Sequence, residues 1–284
     1  DDSGFVVAGL SASFGAQGIF VARYNSGMDR EWARFLSTTS DIGLTDMTLL
    51  DSPHARGCDI AATDAGFMVT STLDGDILAL LLDDSGGLSW AKTISAGDGD
   101  SRGIGVARFG TGGCVVTNMV SGSDDVVGIL SLDAAGNLLS AKAIDYAGNY
   151  AAAIEPAFDG GLFITGLTAY HEGDMLIIRL DDLLEIDWMR AIGATDAGAF
   201  SWAEGVTPLP DGGSIICGWT DCFGAGSRDG LLLRLDDGGF TDWVEAVGTA
   251  DSEHLFSATV VEDSFIVAVG SHTWFFDLDG AWLG

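Results

Sequence analysis

A turn followed by an apolar strand recurs along this chain, and the recurrence constrains the fold more than any single motif. The segments are SGFVVAG at Ser3, AGFMVTS at Ala65, GGCVVTN at Gly112, GGLFITG at Gly160, GGSIICG at Gly212 and DSFIVAV at Asp263. Counted from the second residue of each turn, at positions 4, 66, 113, 161, 213 and 264, the intervals are 62, 47, 48, 52 and 51. Intervals near 50 residues, one of them lengthened by an insertion, define a repeat array. A repeat of this length is one supersecondary unit that buries its faces only by stacking on its neighbours.

Each repeat has the same internal order. A short strand such as AEGVTPL at Ala203 leads through a DGG turn to SIICGWT. A polar loop, DCFGAGSRDG, then leads to LLLRLD, and a last strand begins at a tryptophan, as in DWVEAVG. The tryptophan recurs as Trp32, Trp90, Trp188, Trp243 and Trp282, with Ser140 in its place once. Trp32, Trp90 and Trp188 are followed two residues later by Arg34, Lys92 and Arg190. Four short strands per repeat, with turn signals every 8–12 residues, are the pattern of propeller blades. The recurring indole is the natural packing residue between blades. The expectation is an all-β chain: one β-propeller domain over residues 1–284 with about six four-stranded blades. The repeats fall near 1–50, 51–97, 98–147, 148–198, 199–250 and 251–284.

The segment DGGSIICGWTDCFGAGSRDGLLLRLDDGGFTDWVEAVG, Asp211 to Gly248, resembles the repeat of secreted bacterial and archaeal β-propeller proteins. The shared pattern is DGG, a strand, G-x-T, SFGAG, D, an apolar strand ending L-D, G and then W. The first repeat keeps it as AGLSASFGAQGIFVARYNSGMDREWAR. The resemblance covers nearly the whole chain and implies the fold; proteins with such repeats have many roles. Departures are local. Repeat 2 shortens its loop to STLDGDILA, and repeat 3 carries Ser140 for its tryptophan. Repeat 1 begins at its second strand and repeat 6 stops just after Trp282, so the first and last blades are expected to be incomplete. A strand missing at these ends would have to come from elsewhere, which makes assembly part of the expectation.

Composition bounds the partners. The chain carries 42 Asp and Glu against 12 Lys and Arg, a formal charge of −30, and only Lys92 and Lys142 are lysines. Such a field repels nucleic acid and anionic membranes. It fits a secreted or cell-surface protein, in keeping with a saline source. No stretch of 18 apolar residues predicts a transmembrane helix. The chain opens at Asp1 without Met or a signal-like segment, as a mature form or a fragment would. Cys58, Cys114, Cys217 and Cys222 lack zinc spacing. They read as buried thiols, with a Cys217–Cys222 bridge as the alternative.

Two groups of residues could carry a site. Arg56, Arg102, Tyr150, Trp202 and Phe256 each lie four residues before an aliphatic residue of the first strand: Ile60, Val106, Ile154, Val206 and Val260. In a propeller that strand lines the central channel, so these residues would ring one mouth of it. Two residues earlier lie His54, Asp100, Gly148, Phe200 and His254. Aromatic rings stack on the apolar faces of sugars, and Arg pairs with carboxylate or sulfate. The expected ligand-binding set is therefore His54, Arg56, Arg102, Tyr150, Trp202, His254 and Phe256; the competing expectation is that these side chains simply close the channel. The second group is acidic: Asp98 and Asp100, Asp74 and Asp76, and Asp277 and Asp279 place carboxylates two apart beside glycine. No cofactor is required, but Ca2+ is the ion such loops would take, here by Asp74, Asp76, Asp98 and Asp100. The competing expectation is an ordinary polar turn.

The four histidines, His54, His171, His254 and His272, stand in no GxSxG, HExxH or P-loop context. The leading expectation is a non-enzymatic extracellular module that binds a protein or glycan at one propeller face or serves as a scaffold. The alternatives are a glycoside hydrolase or lyase at the channel mouth, requiring His54, Arg56 and His254 to converge there, and a structural subunit of a larger extracellular assembly.

Overall fold

The structure is a computed structural model. It describes residues 4–11, 18–37, 58–73, 75–95, 100–110, 113–121, 126–144, 149–168, 173–193, 200–261 and 265–283. Every regular element among them is a β-strand. The chain divides into two compact units, Asp1–Ile144 and Asp145–Gly284.

The first unit holds three antiparallel sheets. β1 (Phe5–Ser11), β2 (Gly18–Tyr24) and β3 (Arg30–Ser37) form a three-stranded sheet. β4 (Cys58–Thr63), β5 (Gly66–Leu73), β6 (Asp76–Leu82) and β7 (Leu88–Ile94) form the next, and β8 (Asp100–Phe109), β9 (Gly113–Ser121), β10 (Val126–Leu132) and β11 (Leu138–Ile144) the third. The second unit repeats the pattern. Its sheets are β12 (Tyr150–Pro156), β13 (Leu162–Thr168), β14 (Asp174–Leu180) and β15 (Ile186–Ile192), then β16 (Ser201–Pro208), β17 (Ser214–Thr220), β18 (Asp229–Leu235) and β19 (Thr241–Val247). The last is three-stranded: β20 (Leu255–Val261), β21 (Phe265–Gly270) and β22 (Thr273–Asp277). Each sheet is a sequential meander, the blade that the repeats imply. Among the described residues, four of the six sheets have four strands and the first and last have three.

Burial explains the sequence pattern. β13 and β17 are buried at every residue, and β14 and β18 at all but one. In the second unit β17 lies between the cores it shares with the preceding and the following sheet, so both its faces are covered and SIICGWT reads as a continuous apolar run. β15 and β19 are outer strands and are mostly open to solvent. In the second unit, Phe163, Ile177, Ala203, Val206, Ile216 and Leu233 pack into one core between adjacent sheets. Leu232, Leu255, Ile266 and Phe276 belong to the next. In the first unit, Ile19, Val21, Val69, Leu78 and Leu80 do the same. Full burial of each such aliphatic side chain contributes roughly 1.5–3 kcal/mol.

Four tryptophans, on β3, β7, β15 and β19, each fasten an outer strand to a turn of the following blade. Trp32, Trp90, Trp188 and Trp243 donate their indole N–H to the carbonyls of Asp84, Ala134, Asp237 and Leu278, at 2.9, 2.9, 2.9 and 3.2 Å. The cation two residues later grips the same turn. Arg34 donates to Gly86 and Ser85, Lys92 to Ala135 and Gly136, and Arg190 to Gly239 and Gly238. The turn is itself braced by an aspartate, as where Asp83 Oδ1 accepts the N–H groups of Ser85 and Gly87. The Ser85 hydroxyl, which donates to the same oxygen at 2.6 Å, and then these N–H bonds hold the Asp83 carboxyl below its usual range. Gly239 shows why the turn needs glycine: its φ is +76°, and a Cβ would sit 2.8 Å from the Trp188 ring. Trp282, which the spacing placed in this series, is instead 61% exposed beside Trp274.

Candidate functional site

The second unit gathers an aromatic cluster at the N-terminal ends of its innermost strands. Tyr150 opens β12, Trp202 lies at the start of β16, and His254 directly precedes β20. A β-bulge follows each of them. The register slips between Ala151 and Ala153, between Ala203 and Gly205, and between Leu255 and Ser257. The bulge drives the backbone toward the second strand. A Cβ at Gly218 would sit 1.8 Å from the Trp202 carbonyl oxygen; Gly166 and Gly270 face Tyr150 and His254 in the same way. Close approach, rather than turn geometry, therefore selects these glycines.

The rings form a continuous chain. Tyr150 meets Trp202 edge-on at 5.4 Å between centroids. Trp202 pairs across the sheet with Trp219, their rings 6.5 Å apart and 24° from parallel. Trp219 stacks on Phe200 at 5.1 Å and on His254 at 5.1 Å. His254 in turn contacts Phe256 at 6.0 Å. The Arg228 guanidinium carbon lies 4.2 Å from the Trp219 ring centroid, close enough for a cation–π contact. Tyr150, Trp202 and Trp219 are about 5% exposed and form the floor. Phe200 and His254 are half-buried, while Arg228 and Phe256 reach solvent.

A polar shelf backs the rings. Asn149, Ser201 and Glu253, the residues just before Tyr150, Trp202 and His254, are at most 2% exposed. Ser201 bonds Thr220, and Glu253 accepts the Thr249 N–H and hydroxyl. Arg228 is placed by its neighbour Asp229, whose carboxylate accepts the N–H groups of Ala225 and Gly226 and so fixes the loop. Burial, then the nearby Arg228, push the His254 imidazole below its usual pKa, with Glu204 opposing. The ring is therefore uncharged at neutral pH and presents a flat face.

The structure sorts the residues singled out from sequence. Tyr150, Trp202 and His254 come together as one site. Phe256 belongs to it but not at the position expected. The bulge aligns His254, not Phe256, with Trp202, because Ala258 stands where Val206 stands in the preceding blade. Spacing was anchored on Val260, two residues too far along. Phe256 is the bulged residue, equivalent to Glu204. In the first unit Arg102 has the same register in β8, with its Nε buried and without a hydrogen-bond partner among the described residues. His54 and Arg56 lie outside the described residues, so the convergence that an enzyme at the mouth would require is not described. Trp219 and Arg228 were missed. Trp219 was legible as the cross-strand neighbour of Trp202 had the two strands been put in register.

The acidic pairs are not assembled into a cation site among the described residues. Asp74 and Asp98 lie outside them, as does the Asp100 side chain. Asp76 is half-buried at the start of β6, and no group of three or more potential metal ligands forms among the described residues. Asp277 accepts the N–H groups of Asp279 and Ala281, as in the polar-turn reading. Cys217 and Cys222 are not bridged to each other, which overturns that pairing: Cys217 is buried in the core, while Cys222 turns toward Ser201. The Cys58 thiol is pushed up to about 12 by burial and then by Asp59.

No family model matches the sequence, and no curated protein matches it. Solved structures do match its fold. The Dos1 propeller aligns over 94% of this chain with a TM-score of 0.55 and 10% identity, and this chain spans 65% of that one's length. The fold is that of a β-propeller. A putative 6-phosphogluconolactonase from Bacteroides uniformis aligns over 98% of this chain and 80% of its own, with a TM-score of 0.58 and 13% identity. The BP39L lectin from Burkholderia pseudomallei aligns over 98% and 83%, with a TM-score of 0.56 and 13% identity. Identities this low carry the architecture alone. No helix among the described residues is long and apolar enough to cross a membrane.

Proposed function

We propose that this propeller is a carbohydrate-binding module whose site is the aromatic mouth of its second unit. The observation that carries the reading is the unbroken run Phe200–Trp219–His254–Phe256 with Arg228 set against Trp219. Sugar rings have apolar C–H faces that stack on aromatic planes, and Phe256 and half-buried His254 and Phe200 offer such planes. Arg228 is exposed and donates several hydrogen bonds in a fixed fork, which suits a sugar carboxylate or a pair of hydroxyls. An uncharged His254 keeps the stacking face free of a hydration shell. The buried tryptophans hold the upper rings in place, so little side-chain entropy is lost on binding. The lectin among the structural relatives supports the reading by fold alone. An acidic, lysine-poor surface suits a secreted or cell-surface location, where glycans are presented.

The test is a glycan array carrying neutral and uronic-acid oligosaccharides, followed by titration of the best ligand against quenching of tryptophan fluorescence. Saturable binding that weakens at least tenfold in Phe256→Ala and in Arg228→Ala is expected. Silence across the array, or binding unchanged in the double variant, would refute the proposal.

A further inference from the structure

A second concavity lies at the other end of the same inner strands. Trp202 stands near the start of β16 and Pro208 ends it. At about 3.3 Å per residue the two are roughly 20 Å apart. The cleft encloses about 500 Å³, within the range of small-molecule sites. Its walls are carbon: Phe158, Pro208, Leu209, Pro210, Val260 and Leu278. Phe158 stands at the lip, 69% exposed, and Leu209 is buried. Of the two lining hydroxyls, that of Thr207 is committed to the Ala258 carbonyl at 2.6 Å, and the other is on Thr259. A polyhydroxylated sugar would lose more water against these walls than the few polar groups could replace.

The charged feature of the cleft is an ion pair at its rim. Arg234 donates to Asp211 at 2.5 Å, and its Nε lies 3.5 Å from Asp242. One guanidinium is thus shared by two carboxylates, leaving a net negative charge. The Asp211 side chain is 54% exposed, the Arg234 side chain 26%. An incoming carboxylate would have to displace Asp211 from Arg234 inside the field of a chain with formal charge −30. An incoming ammonium meets an accessible carboxylate oxygen and the same field in its favour.

We propose that this cleft is a binding site for a small amphiphilic amine, with an aromatic or alkyl body on the apolar walls and an ammonium group on Asp211. The site shares no residue with the aromatic mouth, so the two proposals stand or fall separately.

Three probes with one body decide the matter: 2-(1-naphthyl)ethylammonium, 2-(1-naphthyl)ethanol and 1-naphthylacetate. Each is titrated into the 15N-labelled intact chain while amide shifts are followed. The ammonium is expected to saturate, at least threefold more tightly than the alcohol and tenfold more tightly than the carboxylate. Its shifts should centre on Thr207–Asp211 and Thr259–Val260. In Asp211→Asn the advantage of the ammonium over the alcohol should disappear while the alcohol still binds. Equal or tighter binding of the carboxylate, shifts centred on Phe200–Arg228, or no saturable shift with any probe would each overturn the proposal.

Discussion

Replacing Gly239 by alanine tests the inter-blade lock with a built-in control. Gly239 has φ +76°, and a Cβ there would lie 2.8, 2.8 and 2.9 Å from three carbons of the Trp188 ring. Carbon atoms prefer about 3.5–4.0 Å, so the indole would have to withdraw by roughly 0.7 Å. A direct withdrawal of that size stretches the bond from Trp188 to Asp237, now 2.9 Å, beyond hydrogen-bonding range. The steric part therefore costs about 1–3 kcal/mol if the ring stays, or about 1 kcal/mol if the bond breaks. The left-handed backbone adds about 1–2 kcal/mol. Gly160 isolates that second part. Its φ is +97°, and the nearest atom to an added Cβ is at 3.8 Å, an ordinary contact. Denaturant unfolding of the intact chain should place Gly239→Ala about 1–3 kcal/mol below Gly160→Ala. In a Trp188→Ala background the gap should close to within about 0.5 kcal/mol. Equal costs in the native background, or a gap that survives removal of the indole, would refute the idea that the ring dictates glycine.

Arg190→Met should cost about 1–2 kcal/mol by stranding the turn carbonyls, and Arg190→Lys should recover part of it, since Lys92 grips its turn with a single ammonium; urea midpoints of the two variants check this. His254 has a folded pKa below its unfolded value near 6.5. The unfolded chain thus binds the proton more readily, and the stabilising contribution of His254 is present above pH 6.5 and lost as pH falls through the folded value. The difference in unfolding midpoint between pH 7.5 and pH 5 should therefore shrink in His254→Phe relative to the parent chain. With its thiol pushed up to about 12, Cys58 should stay unmodified by iodoacetamide at pH 8, while half-buried Cys222 is alkylated; peptide mapping by mass spectrometry distinguishes the two.

The architecture was legible because it is written in redundant signals. Most blades announce their second strand by a turn and an apolar run, their third by L-D, and their fourth by tryptophan. Losing one signal, as at Ser140, leaves the others standing. Among the described residues the first and last sheets hold three strands each. The apolar middle strands carry no alternation to mark an inner face, because both faces are inside. What periodicity cannot convey is how strands shift against each other. A bulge adds one residue to a strand and leaves no compositional mark on it.

That omission explains the error over Phe256. Counting back from an aliphatic assumes that the last inner strand carries its apolar residue where the others do, and Ala258 breaks the assumption. The mark that survives is on the opposite strand. Gly166, Gly218 and Gly270 each sit where the bulged backbone presses closest. Aligned on those glycines, the repeats give Tyr150, Trp202 and His254 at one position, without reference to any side chain in the inner strand. The same glycines connect fold to site. They allow the bulge, the bulge sets the register of the inner strand, and that register brings Trp202 level with Trp219 and His254 within 5.1 Å of it. Trp219 also holds Phe200 and Arg228. In three successive blades of the second unit, one backbone constraint thus sets the register that builds a continuous stack of rings.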